Sequence, residues 1–237
     1  FDPKKLPKSL RLAVDSRPLV GAGRVEDTVN LLGRAGRHML ITAAAIAGID
    51  VDDLAEDIDA AVLLESSIKA GLDTDWSDPK KKADAMRHLL TVIESLEKYV
   101  REQLTAHAEQ PPLAAQLATI AKLREQNIDP DPPGGGGPAV RDGVARDRLI
   151  SLSDQQMRHG RKSKSRTFNG FKSHIATDLD LSIVLACAVV AANRPEAEGL
   201  DAMRDDLERV GGNATRITEL HIDRGYTNAK LTQQLAA

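Results

Sequence analysis

Two short apolar runs, one near each end of the chain, both finish in an aspartate. The first is Leu10-Arg11-Leu12-Ala13-Val14-Asp15-Ser16 and the second is Glu219-Leu220-His221-Ile222-Asp223-Arg224-Gly225-Tyr226. Runs of this length and composition read as strands, and open α/β sheets place their ligands at the carboxyl ends of their strands. A chain that delivers two carboxylates to such an edge must bring its first and last strands into one sheet, whatever lies between them. Carboxylates paired in this way suit hard divalent cations, which take one or two protein carboxylates and fill the remaining positions from water and phosphate. Two ions would divide phosphoryl transfer between them, one activating the attacking water or hydroxyl and the other steadying the leaving oxygen. For either aspartate alone, the plainer reading is a side chain that caps a turn.

Between these runs lies a basic strip. Residues 155–177 contain no acid and hold Arg158, His159, Arg161, Lys162, Lys164, Arg166, Lys172 and His174. Cations at this density bind phosphates and release counterions, so affinity falls as salt rises. The whole chain has a net charge of −3, so the nucleic-acid signal is local rather than global. Phe168 and Phe171 interleave with the cations, either to stack on a base or to pack a hairpin. An exposed, solvated loop is the alternative reading of the whole strip.

Composition excludes several classes. With 41% apolar residues the chain can form a sizeable core, and at 3% aromatic that core is aliphatic. A single cysteine, Cys187, excludes a disulfide framework and is expected as an inert core residue in a reducing compartment. No run reaches the roughly 18 apolar residues of a membrane helix, and no signal peptide is visible. A soluble, cytoplasmic protein is expected, with no membrane partner. Gly21-Ala22-Gly23 after a strand lacks the third glycine of a dinucleotide-binding turn, because Glu26 stands in its place. Scattered histidines and a lone cysteine do not suggest structural zinc. The chain begins at Phe1 and stops at Ala237 within an expected helix, so a fragment cut at both ends is expected.

The organisation follows from punctuation and periodicity. Residues 10–15 form the first strand, with Pro18, Gly21, Gly23 and Gly33 marking turns. From 34 to 127 the composition favours helix. Asp78-Pro79 is a helix start, and Met86, Leu89, Leu90, Ile93, Leu96, Val100 and Leu104 define one apolar face behind it. Glu94 with Lys98 and Glu97 with Arg101 have the spacing of helix-surface pairs. A second helix is predicted over 113–126. Asp129 to Pro138, with four consecutive glycines, is expected to break all regular structure and serve as a linker. Residues 171–177 and 183–190 predict an antiparallel hairpin turning at 178–180, the latter strand being buried. A helix is predicted over 195–210 with Leu200, Met203, Leu207 and Val210 on one face, ending at Gly211-Gly212-Asn213. The last strand is 219–223.

Three stretches together resemble the DDE transposases of insertion sequences, specifically the group whose third acid lies in a Tyr-Arg-Glu-Lys motif. The segment from Val14-Asp15-Ser16 to Glu26-Asp27-Thr28 looks like the one bearing that family's first catalytic aspartate. Met157 to Lys164 together with Asn169 to Asp178 looks like its basic strand segment, and His221-Ile222-Asp223-Arg224-Gly225-Tyr226 resembles its Asp-x-Gly-Tyr motif. The resemblance implies an α/β, ribonuclease-H-like mixed sheet interrupted by a helical insertion. It further implies two Mg²⁺ or Mn²⁺ ions held by Asp15 and Asp223, and DNA transposition by cleavage at element ends. A freed 3′-hydroxyl would then attack target DNA.

The expected division is a first part of the catalytic core over 1–33, the insertion over 34–127, a linker over 128–147 and the remaining core over 148–237. DNA, as transposon ends and target, is the expected partner. Arg158, Arg161, Lys162, Lys164, Arg166 and Lys172 are the expected phosphate contacts, and a homodimer is the expected full-length state. Two departures stand out. Asn169-Gly170-Phe171-Lys172 replaces the family's common Asp-Gly-Tyr-Lys, so Asn169 receives no catalytic role. The third acid is expected to lie outside this chain, which makes the isolated piece catalytically incomplete. The rival expectations are an inactive remnant that only binds DNA or a partner subunit, and a ribonuclease-H-like nuclease that hydrolyses without joining strands.

Overall fold

The structure, a computed structural model, describes residues 8–133, 136–211 and 216–235. The chain divides into two compact units, one made of Phe1–Ala22 with Gln156–Ala237 and the other of Gly23–Gln155.

The first unit is built on a mixed sheet. Its strands are β1 (Ser9–Val20), β4 (Arg158–Arg161), β5 (Thr167–Asp178), β6 (Val184–Ala191) and β7 (Arg216–His221). Strand β5 lies antiparallel to β1, with Leu12 opposite Asp178 and Val20 opposite Gly170. The far side of β5 carries β6 and then, along the same line, β4, both antiparallel. Strand β7 lies on the other side of β1 and runs parallel to it. The order β6-β5-β1-β7, antiparallel except for β1 with β7, is the mixed α/β sheet expected of a ribonuclease-H-like fold.

Alternation along β1 sends Leu10, Leu12 and Val14 into the core, where Ala176 and Ala186 meet them. Helices α7 (Glu196–Ala202) and α8 (Arg204–Gly211) close that core with Leu200, Met203 and Leu207. Tyr226, from the 3-10 turn Arg224–Tyr226, and Ala229, just before α9 (Lys230–Leu235), complete it.

The second unit is helical. Helix α1 (Thr28–Ala47) is capped by Asp27, which accepts from the Asn30 N–H at 3.1 Å, and ends at Gly48 in the left-handed conformation. Short helices α2 (Val51–Asp57) and α3 (Ile68–Gly71) follow. Helix α4 (Pro79–Gln103) starts where expected, with the Asp78 carboxylate accepting from the Lys80 and Lys81 amides. The predicted stripe of Met86, Leu89, Leu90, Ile93, Leu96 and Val100 is buried. After α5 (Thr105–Ala108), α6 (Leu113–Asn127) packs against α1. Among the described residues, no helix is long and apolar enough to cross a membrane.

Several expectations need correction. Strand β1 runs on through Pro18 to Val20. The Gly21 amide donates to the Asn169 carbonyl, so odd positions face β5 and the proline nitrogen faces the other edge. Strand β7 covers that edge only as far as Ala13, so the missing N–H breaks no ladder bond. Gly33 lies inside α1 rather than in a turn. A Cβ there would stand 2.6 Å from the Ile68 side chain, so the glycine permits close packing. Arg124 of α6 bonds Glu97 at 2.9 Å and lies 3.7 Å from Glu94, so tertiary pairing replaces the local helix pairs expected of both glutamates.

The Pro/Gly stretch is not wholly irregular. Strands β2 (Ile128–Asp129) and β3 (Ala139–Val140) pair antiparallel across it, while Gly134 and Gly135 lie outside the described residues. Strand β6 is less buried than its apolar sequence suggests. One of its faces joins the core through Ala186, while on the other Val184 and Val189 are 59% and 58% exposed, and Cys187 is exposed rather than in the core. The predicted helix 195–210 breaks at Met203 into α7 and α8, and the end signal at Gly212-Asn213 lies outside the described residues, as does the Val210 side chain. The last strand ends at His221, leaving Asp223 just beyond it.

Gly170 joins β1 to β5 at a point of close backbone approach. Its φ is +141°, and a Cβ would overlap the Gly21 nitrogen and the Leu19 carbonyl oxygen. Gly170→Ala should therefore destabilise the sheet unit by about 2 kcal/mol or more. Urea unfolding followed on parent and variant checks this, and equal midpoints would refute it.

Candidate active site

The parallel ladder decides where the two aspartates meet. Its last pairs are Leu12 with Leu220 and Ala13 with His221. Asp15 and Asp223 each lie two residues beyond the last pair, so both fall just past the same end of the ladder. Alternation adds a shared face. Val14 points into the apolar core and Ile222 packs against it, so the flanking aspartates are exposed on the opposite side.

Both line one cavity of about 160 Å³, together with Ser16, Pro18, Arg161, Lys162, Phe168, Lys172 and Glu196. The Asp15 carboxylate accepts from the Ser16 amide at 2.8 Å, and Asp223 accepts from the Gly225 amide at 2.7 Å. Each aspartate thus does cap a local turn, as the plainer reading holds, while also facing the cavity.

Of the six basic residues singled out above, the cavity gathers Arg161, Lys162 and Lys172. Arg158 is 8% exposed and donates through Nη1 to the Met157 carbonyl. Lys164 and Arg166 are exposed in the connection between β4 and β5, away from the cavity lining. Phe168 lines the cavity and Phe171 does not. His221 is exposed and pairs with Glu219 at 3.2 Å.

Sequence reasoning missed Glu196, the first residue of α7. Its Oε1 meets Lys172 Nζ at 3.0 Å, and Lys172 also donates to the Arg194 carbonyl at 2.7 Å. The Pro195-Glu196 helix start was visible, but nothing local tied it to residues on β1 and β5. Beneath the cavity lies His174, fully buried, with Nδ1 2.8 Å from the Tyr226 hydroxyl and 3.6 Å from Glu196 Oε2. Burial holds the imidazole below the usual histidine range, against the pull of Glu196. Burial likewise pushes the Tyr226 phenol well above its ordinary value, so it keeps its proton at neutral pH.

Two carboxylates sharing one cavity wall match the donor set that Mg²⁺ or Mn²⁺ accepts, with water and phosphate filling the other positions. Among the described residues, no group of three or more His, Cys, Asp or Glu side chains could hold a metal. Glu196 instead stands against Lys172.

The neutral His174 has a consequence for stability. Its folded-state pKa lies below the unfolded value of about 6.5, so its contribution is present above that pH and lost as pH falls through it. The thermal unfolding midpoint should drop as pH is lowered from about 7.5 to about 5.5, and His174→Gln should lessen the drop. Melting curves of both proteins across that range check this. Identical pH slopes would count against it.

Residues 134–237 match the family model of the transposase DDE domain. The match takes in the basic strands and Asp223 and leaves Asp15 outside, and it bears out the resemblance at the level of the family. No curated protein and no solved structure matches the chain.

Proposed function

We propose that this chain, whose residues 134–237 match the transposase DDE domain, acts in DNA transposition through metal-dependent strand cleavage and strand transfer at the ends of an insertion sequence. Asp15 and Asp223 are the metal ligands in this reading. The observation that carries it is their common cavity, reached from opposite ends of the sequence and shared with Arg161, Lys162 and Lys172. Two divalent ions bound there would supply Lewis-acid assistance to the attacking and leaving oxygens.

The remaining roles belong to the chain's own side chains. Arg161 and Lys162, at the end of β4, bind backbone phosphates next to the scissile one. Lys172, pinned by Glu196 and the Arg194 carbonyl, presents a fixed positive charge at the cavity wall. Asp15 and Asp223 are the side chains that would hold those ions. The Asp223-Arg224-Gly225-Tyr226 segment favours the group with the Tyr-Arg-Glu-Lys third-acid motif, and the active assembly is a homodimer on two element ends. The helical unit is an insertion into the catalytic core.

Two experiments test the reading. Calorimetric titration with Mn²⁺ should show binding that Asp15→Ala and Asp223→Ala each weaken at least about tenfold, without loss of folding by circular dichroism. Unchanged binding in either variant would remove that residue from the site. Separately, duplex DNA binding by an Arg161→Ala, Lys162→Ala variant should weaken across sequences. The slope of log affinity against log salt should fall by about one for each phosphate that the variant no longer neutralises. A parental slope in this variant would show that these cations do not touch DNA.

A further inference from the structure

The β1–β7 ladder stops at Ala13 and His221, so no strand pairing holds Asp223 opposite Asp15. Asp223 sits where the chain has left the sheet and entered the 3-10 turn Arg224–Tyr226. Something else must anchor that turn. Tyr226 ends it, is 1% exposed, and lies edge-on to His174 with ring centroids 5.7 Å apart and an interplanar angle of 87°. Its hydroxyl is 2.8 Å from His174 Nδ1.

Ser16 and His174 are direct cross-strand partners in the β1–β5 ladder. The hydroxyl therefore meets the cross-strand partner of the residue that follows Asp15. His174 has no freedom to move away. Gly199 of α7 packs over its ring so closely that a Cβ there would overlap it. On the other side of the turn, Gly225 lies against Glu196, where a Cβ would come 2.7 Å from Cγ of that side chain. The turn carrying Asp223 is thus clamped between β5 and α7.

We propose that Tyr226, with His174, is a positioning residue: its hydroxyl sets the separation of the Asp15 and Asp223 carboxylates and thereby the metal affinity of the site. This rests on the reading of the two aspartates as metal ligands. The competing account is that Tyr226 only fills the apolar core beside Leu10, Leu12 and Val14. The two accounts separate at the hydroxyl, because phenylalanine keeps the ring and its burial.

Groups that hold a ligand in place without touching the metal typically change metal affinity 10–100-fold when removed. Tyr226→Phe should therefore bind Mn²⁺ at least about tenfold more weakly than the parent in calorimetric titration. Its circular dichroism should match the parent's, and its duplex DNA affinity should remain within about twofold. His174→Leu removes the other end of that contact, should shift Mn²⁺ affinity the same way, and serves if Tyr226→Phe does not fold. Asp15→Ala and Asp223→Ala run alongside. If both alanine variants lose Mn²⁺ while Tyr226→Phe and His174→Leu keep parental affinity, the positioning role is overturned and the aspartate site stands. If an aspartate variant keeps parental affinity, or the folded parent binds no Mn²⁺, the aspartate site is overturned and the positioning role falls with it.

Discussion

Parallel pairing of β1 with β7 is the constraint on which the candidate site depends. These strands come from opposite ends of the sequence, and their register places both aspartates at the same distance past the last paired residues. In a sheet with one buried face, a slip of one residue would exchange the faces of a whole strand. Leu10, Leu12 and Val14 therefore do more than fill the core: by demanding burial they commit Asp15 to the opposite face. The antiparallel partner β5 fixes the other edge of β1 and brings Lys172 opposite Pro18 and His174 opposite Ser16. Strands β1 and β5 thus position an acid, a cation and the buried histidine that meets Tyr226.

The electrostatics of the cavity follow from this crowding. Asp15, Glu196 and Asp223 share it with Arg161, Lys162 and Lys172, so neither sign dominates. Carboxylates held close together repel one another, and adjacent cations ease that repulsion. Lys172 is the most constrained of the cations, with Glu196 on one side and the Arg194 carbonyl on another. Below this polar rim the environment becomes dry. His174 is kept neutral there and Tyr226 protonated, so the contact between them is a bond between uncharged groups, little exposed to screening by salt.

Much of the architecture was legible in local patterns. Asp78-Pro79 and the stripe from Met86 to Val100 foretold α4, because capping chemistry and helical periodicity act over a few residues. The hairpin of β5 and β6 was legible for the same reason, as was its turn, where the buried Asp178 carboxylate accepts from the Asp180 and Leu181 amides. Readings failed where a distant partner decides. Cys187 belongs to an apolar run, yet its exposure depends on which face of the sheet the core covers. Arg124 draws Glu97 away from its local helix partner, and Gly33 makes room for Ile68. Pro18 argues for a turn until one sees that its nitrogen faces an edge β7 does not reach.

The sequence by itself determined the acids, the basic strip and the order of the strands, because strand alternation, charge density and the Asp-x-Gly-Tyr residues are local properties of the chain. Tertiary structure alone decided which of those groups meet. It drew Arg161, Lys162 and Lys172 toward the aspartates while burying Arg158, since the twelve-residue β5 spans both β4 and β6. It also brought Glu196 to the cavity and set Tyr226 against His174, which lies 52 residues away in the chain. Contacts of that separation arise when sheet register and helix packing close the core, and no pattern confined to neighbouring residues records them.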